Sequence, residues 1–397
     1  MALRWDNSPV YRRRRRMVAG GATLLLVTAL GVPALLQPRS HEASPIAAAP
    51  SVSPSPTPAE SESAREDAPK DSYDAVVPPL EEREEPRTGK APDITIAFAG
   101  DTNAVGAAKR INEVGLGATG KVLAAADVSV VNLETVVAED RRGLTPEPKK
   151  YTFATGPEIV STMQDEGVDV LTAANNHGMD FGEEGMRRML DFKARSPIPI
   201  IGIGADAEEA WAPWETEVDG RQVLIFGATD VLERHLDWKA GPDQLGVAKI
   251  RDTDGLEKLL DAVKTSRAGD ADAAIAVYVH AGIELERCAT PRQQELAVRL
   301  ANAGADVVIQ SHAHRLQAAA TLGETAVSYG MGNFVFGAKK DETRATGVLT
   351  VTVPGAPGAP TMEFTPARIT EGIPELLEGS ERDDAITSWQ QLGEGCS

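Results

Sequence analysis

The chain has little cysteine. Cys288 and Cys396 are its only two among 397 residues, and without a C-x-x-C pair a zinc site built on thiolates is excluded. Free thiols are the simpler expectation for them. An oxidising exterior would permit a bridge, but Cys396 stands in a polar tail and nothing in the sequence fixes the geometry. Positive charge is also short: 40 Lys and Arg face 59 Asp and Glu, a formal balance of −19. Residues 1–39 carry arginines and a single acid, so the rest is more acidic than the whole. Such a surface repels phosphate backbones and excludes nucleic acid as the expected partner; a polyanionic substrate would have to be met by a metal site or a local basic patch. Internal repeats are lacking too. What the chain does have is length and apolar content, 42%, enough to bury the core of one large α/β domain or two ordinary ones.

Arg12 to Arg16 form an unbroken basic run, and Met17 to Leu36 follow without a charged residue. Twenty helical residues rise about 30 Å, enough to cross the hydrocarbon layer. Basic residues before the span place residues 1–16 in the cytoplasm and everything after the anchor, 17–36, outside the cell membrane, with a single pass. A cleaved signal peptide is the competing reading; the run ends in Leu35-Leu36-Gln37-Pro38-Arg39, a poor cleavage context, although Ala47-Ala48-Ala49 lies farther on. Residues 40–92, dense in Pro, Ser and Glu, read as a disordered spacer, because too few clustered apolar groups are present to offset ordering entropy.

From Ile94 onward, apolar runs alternate with helical patterns. Strands are expected at Ile94–Ala99, Val128–Val131, Val168–Ala173, Ile198–Ile203, Val223–Phe226, Ala274–Val279, Ala305–Ile309 and Ala326–Tyr329. Helices are expected at Pro157–Glu166, Glu183–Lys193, Thr253–Lys264 and Pro291–Ala303, the last with Thr290 as N-cap, Gln293 completing a capping box and Gly304 at the C-terminus. Asp219-Gly220 reads as a tight hairpin turn, and Val348–Val353 with Met362–Ile369 as antiparallel strands closing the sheet. The pattern specifies an α/β domain over 93–370, with helices on a largely parallel or mixed sheet, then a loosely held polar tail at 371–397.

Histidine carries the functional signal. Four of the six, His177, His280, His312 and His314, directly follow strand-like runs, whereas His41 and His235 do not. His312 and His314, two apart on what reads as extended chain, would point the same way and share a metal. Ligand sites in open α/β sheets gather beyond the carboxyl ends of strands, and Gly100-Asp101, Asn132-Leu133-Glu134, Asn175-Asn176-His177, His280 and Ser311 to His314 all take that position. Singly, each has a plainer reading: a turn aspartate, a helix-capping asparagine, a hydrogen-bonded core histidine. Glu134, closing a very apolar strand, needs a partner or a cation, since burying it bare is costly. Jointly, carboxylates, an amide oxygen and imidazoles without sulfur suit one or two divalent transition-metal ions, Mn, Fe or Zn, of a kind used for hydrolysis.

These pieces, together with Phe98-Ala99, Thr135, Ala174 and Gly178 to Gly182, Ala281 to Glu284, Gly304 to Ile309, Arg315 to Gln317 and Gly332-Asn333-Phe334-Val335-Phe336, resemble the CapA-type poly-γ-glutamate capsule synthesis family over about residues 93–340. That family's domain is itself similar to calcineurin-like metallophosphoesterases, so the resemblance implies a metallophosphoesterase-like layered sandwich, a mixed β-sheet core flanked by helices. It further implies that Asp101 and His314 hold one metal, that Asn176, His280 and His312 hold another, that Glu134 bridges, that His177 assists the leaving group and that Asp180 orients His177. Asn103, Asn132, Asn175, Glu284 and Asn333 are expected around them as supporting or substrate-facing groups. Three motifs depart from the pattern: Asp101-Thr102-Asn103 stands for Asp-x-His, His280-Ala281-Gly282 for His-Trp-Gly, and Ser311 to His314 for Gly-His-Pro-His. The expected function is synthesis or export of a capsule or envelope polymer with a metal-dependent hydrolase or transferase site, phosphoester- or amide-directed; the alternative is a non-catalytic, polymer-binding accessory of a membrane assembly of capsule-synthesis subunits.

Overall fold

The computed structural model describes residues 75–396, apart from 84–85, 234–235 and 237. The basic N-terminus, the anchor expected at 17–36, most of the spacer, His41 and His235 lie outside the described residues. Among the described residues, no helix is long and apolar enough to cross a membrane.

The expected mixed sheet is two sheets. The first holds β1 (Ile94–Thr102), β2 (Val128–Leu133), β3 (Val170–Thr172) and β4 (Ile200–Ile201) in parallel; the second holds β5 (Trp214–Val218), β6 (Arg221–Thr229), β7 (Ala274–Ala281), β8 (Val307–His312), β9 (Ala319–Leu322) and β10 (Thr325–Ser328). The first sheet is completed by β11 (Asn333–Val335) beside β1 and by the antiparallel β12 (Ala345–Val353), β13 (Thr361–Thr370) and β14 (Ile373–Leu376). Within the second, β6, β7, β8 and β10 run parallel, flanked by antiparallel β5 and β9.

Alternation along the strands assigns each side chain to a layer. Ile94, Ile96 and Phe98 of β1 and Val128 and Val130 of β2 meet Ile225, Ala276, Tyr278 and Ile309 of the second sheet, so the sheets pack face to face. Ala97, Ala99, Val131 and Leu133 point the other way, under α1 (Ala118–Ala125), α2 (Glu158–Asp165) and α3 (Gly182–Lys193). On the far side, Phe226, Val277 and Val308 are covered by α4 (Ala207–Trp211), α5 (Thr253–Gly269) and α6 (Pro291–Asn302). Buried on both faces, the parallel strands read as continuous apolar runs, which is why the sequence shows them so clearly.

Local chemistry holds where expected. Thr290 Oγ1 accepts from Gln293 N and Gln293 Oε1 from Thr290 N, the full capping box. Asp219 and Gly220, at φ 50° and 86°, turn β5 into β6. Three expectations change. The run Ile198–Ile203 is broken by Gly202 at φ 81°, leaving β4 only two residues long. The spacer is not free at its end: Arg83 and Arg87 reach the buried Asp306 at 2.8 and 2.6 Å, Thr88 N donates to Asp272, and Glu81 N donates to Asn302. Polar groups, not apolar ones, dock this strap, so composition does not reveal it. The tail is not loose either. β13 turns through Glu371-Gly372 into β14, α7 (Gly379–Gln390) lays Trp389 flat on Phe364 at 4.9 Å, and Cys396 pairs with Cys288, their Cα atoms 5.5 Å apart. The free thiols expected from sequence are therefore a disulfide: tertiary packing brings together two cysteines 108 residues apart.

Candidate metal centre

The parallel strands β1, β2, β3, β7 and β8 present their carboxyl ends to one cleft, and five expected motifs meet there. β1 reaches it through Gly100, where a Cβ would lie 2.0 Å from Gly332 O; only glycine lets the chain pass and Asp101 N donate to that carbonyl. Asp101, fully buried, takes Asn132 Nδ2 at 2.7 Å on one oxygen and His312 N at 3.2 Å on the other, with His314 Nδ1 at 3.3 Å. His280 Nε2 lies 2.9 Å from Asn176 Oδ1 and 3.1 Å from His312 Nδ1, while its Nδ1 faces Ser311 Oγ at 3.0 Å and Asn132 Nδ2 at 3.1 Å. The pairs the resemblance implies, Asp101 with His314 and Asn176 with His280 and His312, are thus neighbours in space.

Glu134 sits between them. Both of its oxygens are buried without a hydrogen-bond donor, and Oε1 is ringed by His280 Nε2 at 3.5 Å, His177 Nε2 at 3.8 Å and His314 Nε2 at 3.9 Å. Burial, then the neighbouring Asp101, pushes its carboxyl well above the usual carboxylate range. A bare acid at this point is costly, and a cation among oxygen and imidazole donors relieves it. Glu134, His312 and His314 each offer a ligand atom within 4.8 Å of the others, so the residues present fit a divalent ion. Burial opposes charge on Asp101 as well, but His314, His280 and Asn132 hold it well below its ordinary value. Burial, then the neighbouring His312 and His314, holds His280 well below the ordinary imidazole value; burial, then the His314 charge, brings His312 down to about 3; His314 goes up, because Glu134 and Asp101 outweigh its burial.

The two late histidines are not on extended chain. β8 ends at His312, whose φ is 90°, and His314 has φ 53°, a left-handed backbone that side-chain-bearing residues seldom adopt. The turn, not strand alternation, brings their rings to 5.9 Å. Asn333 holds the second: its Oδ1 lies 2.9 Å from His314 Nδ1 and its Nδ2 donates to His314 O and Thr343 O.

His177 and Asp180 meet as expected, Nδ1 to Oδ2 at 2.7 Å. Burial lifts Asp180 to about 6 against the pull of Lys149, and burial with the Lys149 charge keeps His177 well below the ordinary imidazole value. Of the supporting residues, Asn132 and Asn175 are wired in: Asn175 Nδ2 donates to Asn132 Oδ1 and Leu133 O, and its Oδ1 takes His177 N. Glu284 is half-buried and its charge acts on Glu134, His177 and His314. Asn103 is spent locally, its side chain accepting from Val105 N at 3.2 Å.

Sequence reasoning missed Lys149, Phe153 and Glu233. Lys149 Nζ lies 2.8 Å from Asp180 Oδ1 and 2.7 Å from Glu233 Oε1. Phe153 stacks on His177 at 4.3 Å and meets Phe336 edge-on at 5.9 Å, and Phe336 lies 5.0 Å from His314. The only sequence pointer was the long unpatterned stretch between Val137 and Ala154, of a length more often functional than idle.

Several known proteins are similar to this chain. The Capsule biosynthesis protein CapA of Bacillus anthracis is 27% identical over 60% of this chain and 57% of its own length, so the match spans less than two thirds of that relative. A Mycobacterium tuberculosis protein named "probable polyglutamine synthesis accessory protein" is 26% identical over 67% of this chain and 70% of its own length. The crystal structure of a hypothetical protein from Thermus thermophilus superposes with TM-score 0.43 at 14% identity, covering 69% of this chain and 99% of that one. The model of the family described as bacterial capsule synthesis protein PGA_cap matches residues 95–338, well over half of the chain, and the chain belongs to that family.

Proposed function

We propose that the chain acts in the cell envelope, anchored by residues 17–36, as a metal-dependent hydrolase or transferase in the synthesis or export of poly-γ-glutamate or a related polymer. The observation that carries this reading is Glu134: a buried carboxylate with no donor on either oxygen, ringed by three imidazoles. Asp101 and His314 would hold one ion, Asn176, His280 and His312 a second, and Glu134 would serve both. When bound, the metal supplies Lewis-acid polarisation of a substrate oxygen and a nucleophile at neutral pH. The protein's own residues do the rest. Asn132 and Ser311 orient His280, Asn333 orients His314, and His177, with Nδ1 on Asp180, offers Nε2 to collect a proton and deliver it to the leaving group.

A second reading is a non-catalytic accessory that binds polymer or partner subunits around a structural metal; that the mycobacterial relative is named an accessory protein supports the non-catalytic part of it. Full-length chain reconstituted with Mn²⁺ and offered bis(p-nitrophenyl) phosphate and a γ-glutamyl polymer separates the two. The hydrolase reading expects cleavage of one probe, falling by about 10²- to 10⁴-fold in His177→Ala. Metal binding with both probes intact would overturn it in favour of the accessory role.

A further inference from the structure

The loop between Val137 and Ala154 leaves the first sheet just after Glu134 and returns to pair beside Val136, Val136 N donating to Phe153 O. On its way back it makes three contacts with the His177–Asp180 pair. Glu147 N donates to Asp180 O, Phe153 N donates to Asp180 Oδ2, and the Phe153 ring stacks on the imidazole. The fourth contact is ionic. Lys149, only 5% exposed, brings its ammonium to Asp180 Oδ1 and Glu233 Oε1, donates to Asn176 O, and lies 5.0 Å over the Trp238 ring. The ammonium thus pairs with two carboxylates and hydrogen-bonds one backbone carbonyl. A buried lysine is costly unless so paired, which makes packing alone a poor account of its presence.

We propose that Lys149 is a positioning residue for the His177–Asp180 pair: by occupying Asp180 Oδ1 it leaves Oδ2 to accept from His177, which fixes the imidazole with its proton on Nδ1 and its Nε2 turned to the cleft. The assignment gives His177 a role only within the function proposed above, but the contacts belong to the folded chain and are tested without turnover. A carboxylate held on one oxygen by an ammonium acts purely as an acceptor on the other. Without the ammonium, only Phe153 N holds Asp180 Oδ2 in place, Oδ1 is free to swing, and both tautomers of His177 become available.

The test uses the full-length chain labelled with ¹⁵N at histidine, at slightly alkaline pH, with His177 identified from His177→Asn. The wild type and Lys149→Arg are expected to show one tautomer at His177, protonated at Nδ1, and Lys149→Met a mixture or the opposite tautomer. A wild-type spectrum in Lys149→Met would overturn the proposal; should that variant not fold, Lys149→Gln, uncharged but polar, is read in the same way. On bis(p-nitrophenyl) phosphate with Mn²⁺, kcat of Lys149→Met falls by about tenfold or more while KM and metal content stay unchanged; loss of metal instead would assign Lys149 to the ligand scaffold and overturn the proposal. Tautomer loss in a protein whose wild type cleaves nothing would sink the hydrolase reading and leave the role of Lys149 standing.

Discussion

Glu134 shows how a single residue can work against the fold. Its carboxyl is buried without a donor and pushed upward by burial and by Asp101, so in the metal-free chain it is a liability. Glu134→Gln, with the charge removed and the shape kept, is expected to leave the metal-free chain as stable as the wild type or more so, while abolishing the rise in thermal midpoint on adding Mn²⁺. Melting curves with and without metal check this; loss of stability in the metal-free variant would mean that the carboxylate has a protein partner. That Glu134 needed a partner was legible from an acid at the end of an apolar strand. The geometry of His312 and His314 was not, because positive φ at both is imposed by contacts such as Asn333 with His314, which lie outside the motif. Lys149 was illegible for a similar reason: its partners Asp180 and Glu233 come from other loops.

Among the elements, legibility follows how local the cause is. α6 was bounded to within a residue because its stop and start signals are its own: Thr290 and Gln293 cap each other. Thr290→Ala is expected to cost about 1 kcal/mol in denaturant unfolding. Strand cores were equally plain, but their ends were not. β6 runs from Arg221 to Thr229, past the apolar Val223–Phe226, because pairing with β5 and β7 extends it. α7 escaped notice because its polar sequence carries no apolar stripe; Trp389 on Phe364 and the disulfide hold it. The bridge closes a loop of 108 residues, and in the chain-entropy account its loss costs about 5 kcal/mol. Cys396→Ser, or reduction of the wild type, should lower the denaturant midpoint accordingly, and an unchanged midpoint would show that the tail contributes nothing to the fold.

At the scale of the whole molecule, the alternation of apolar runs and helical patterns pointed to an α/β domain on a mixed sheet, the family resemblance implied the layered sandwich, and the strand ends located the site. Composition misjudged the strap before it. Glu81 to Arg87 looks like a solvated charge run, yet Asp306, fully buried at the start of β8, is met by Arg87, Arg83 and Arg267. Burial alone would raise its carboxyl, but the three guanidinium groups hold it down at about 2. An unfolded aspartate titrates near 3.9, so ionised Asp306 stabilises the fold above about pH 4 and that contribution is lost as pH falls towards 2. Stability of the wild type, followed by denaturant midpoint, should therefore fall more steeply between pH 4 and 2 than that of Asp306→Asn, which is already weaker at pH 7 by about 3 kcal/mol or more for leaving buried arginines unpaired. Parallel pH profiles would contradict the strap's ionic docking. The whole site turns on the metal. Full-length chain reconstituted with Mn²⁺, freed of excess ion and assayed for bound metal, is predicted to retain one or two ions, with His314→Ala losing at least one and His312→Ala, His314→Ala losing all; a wild-type chain that retains none would contradict the account.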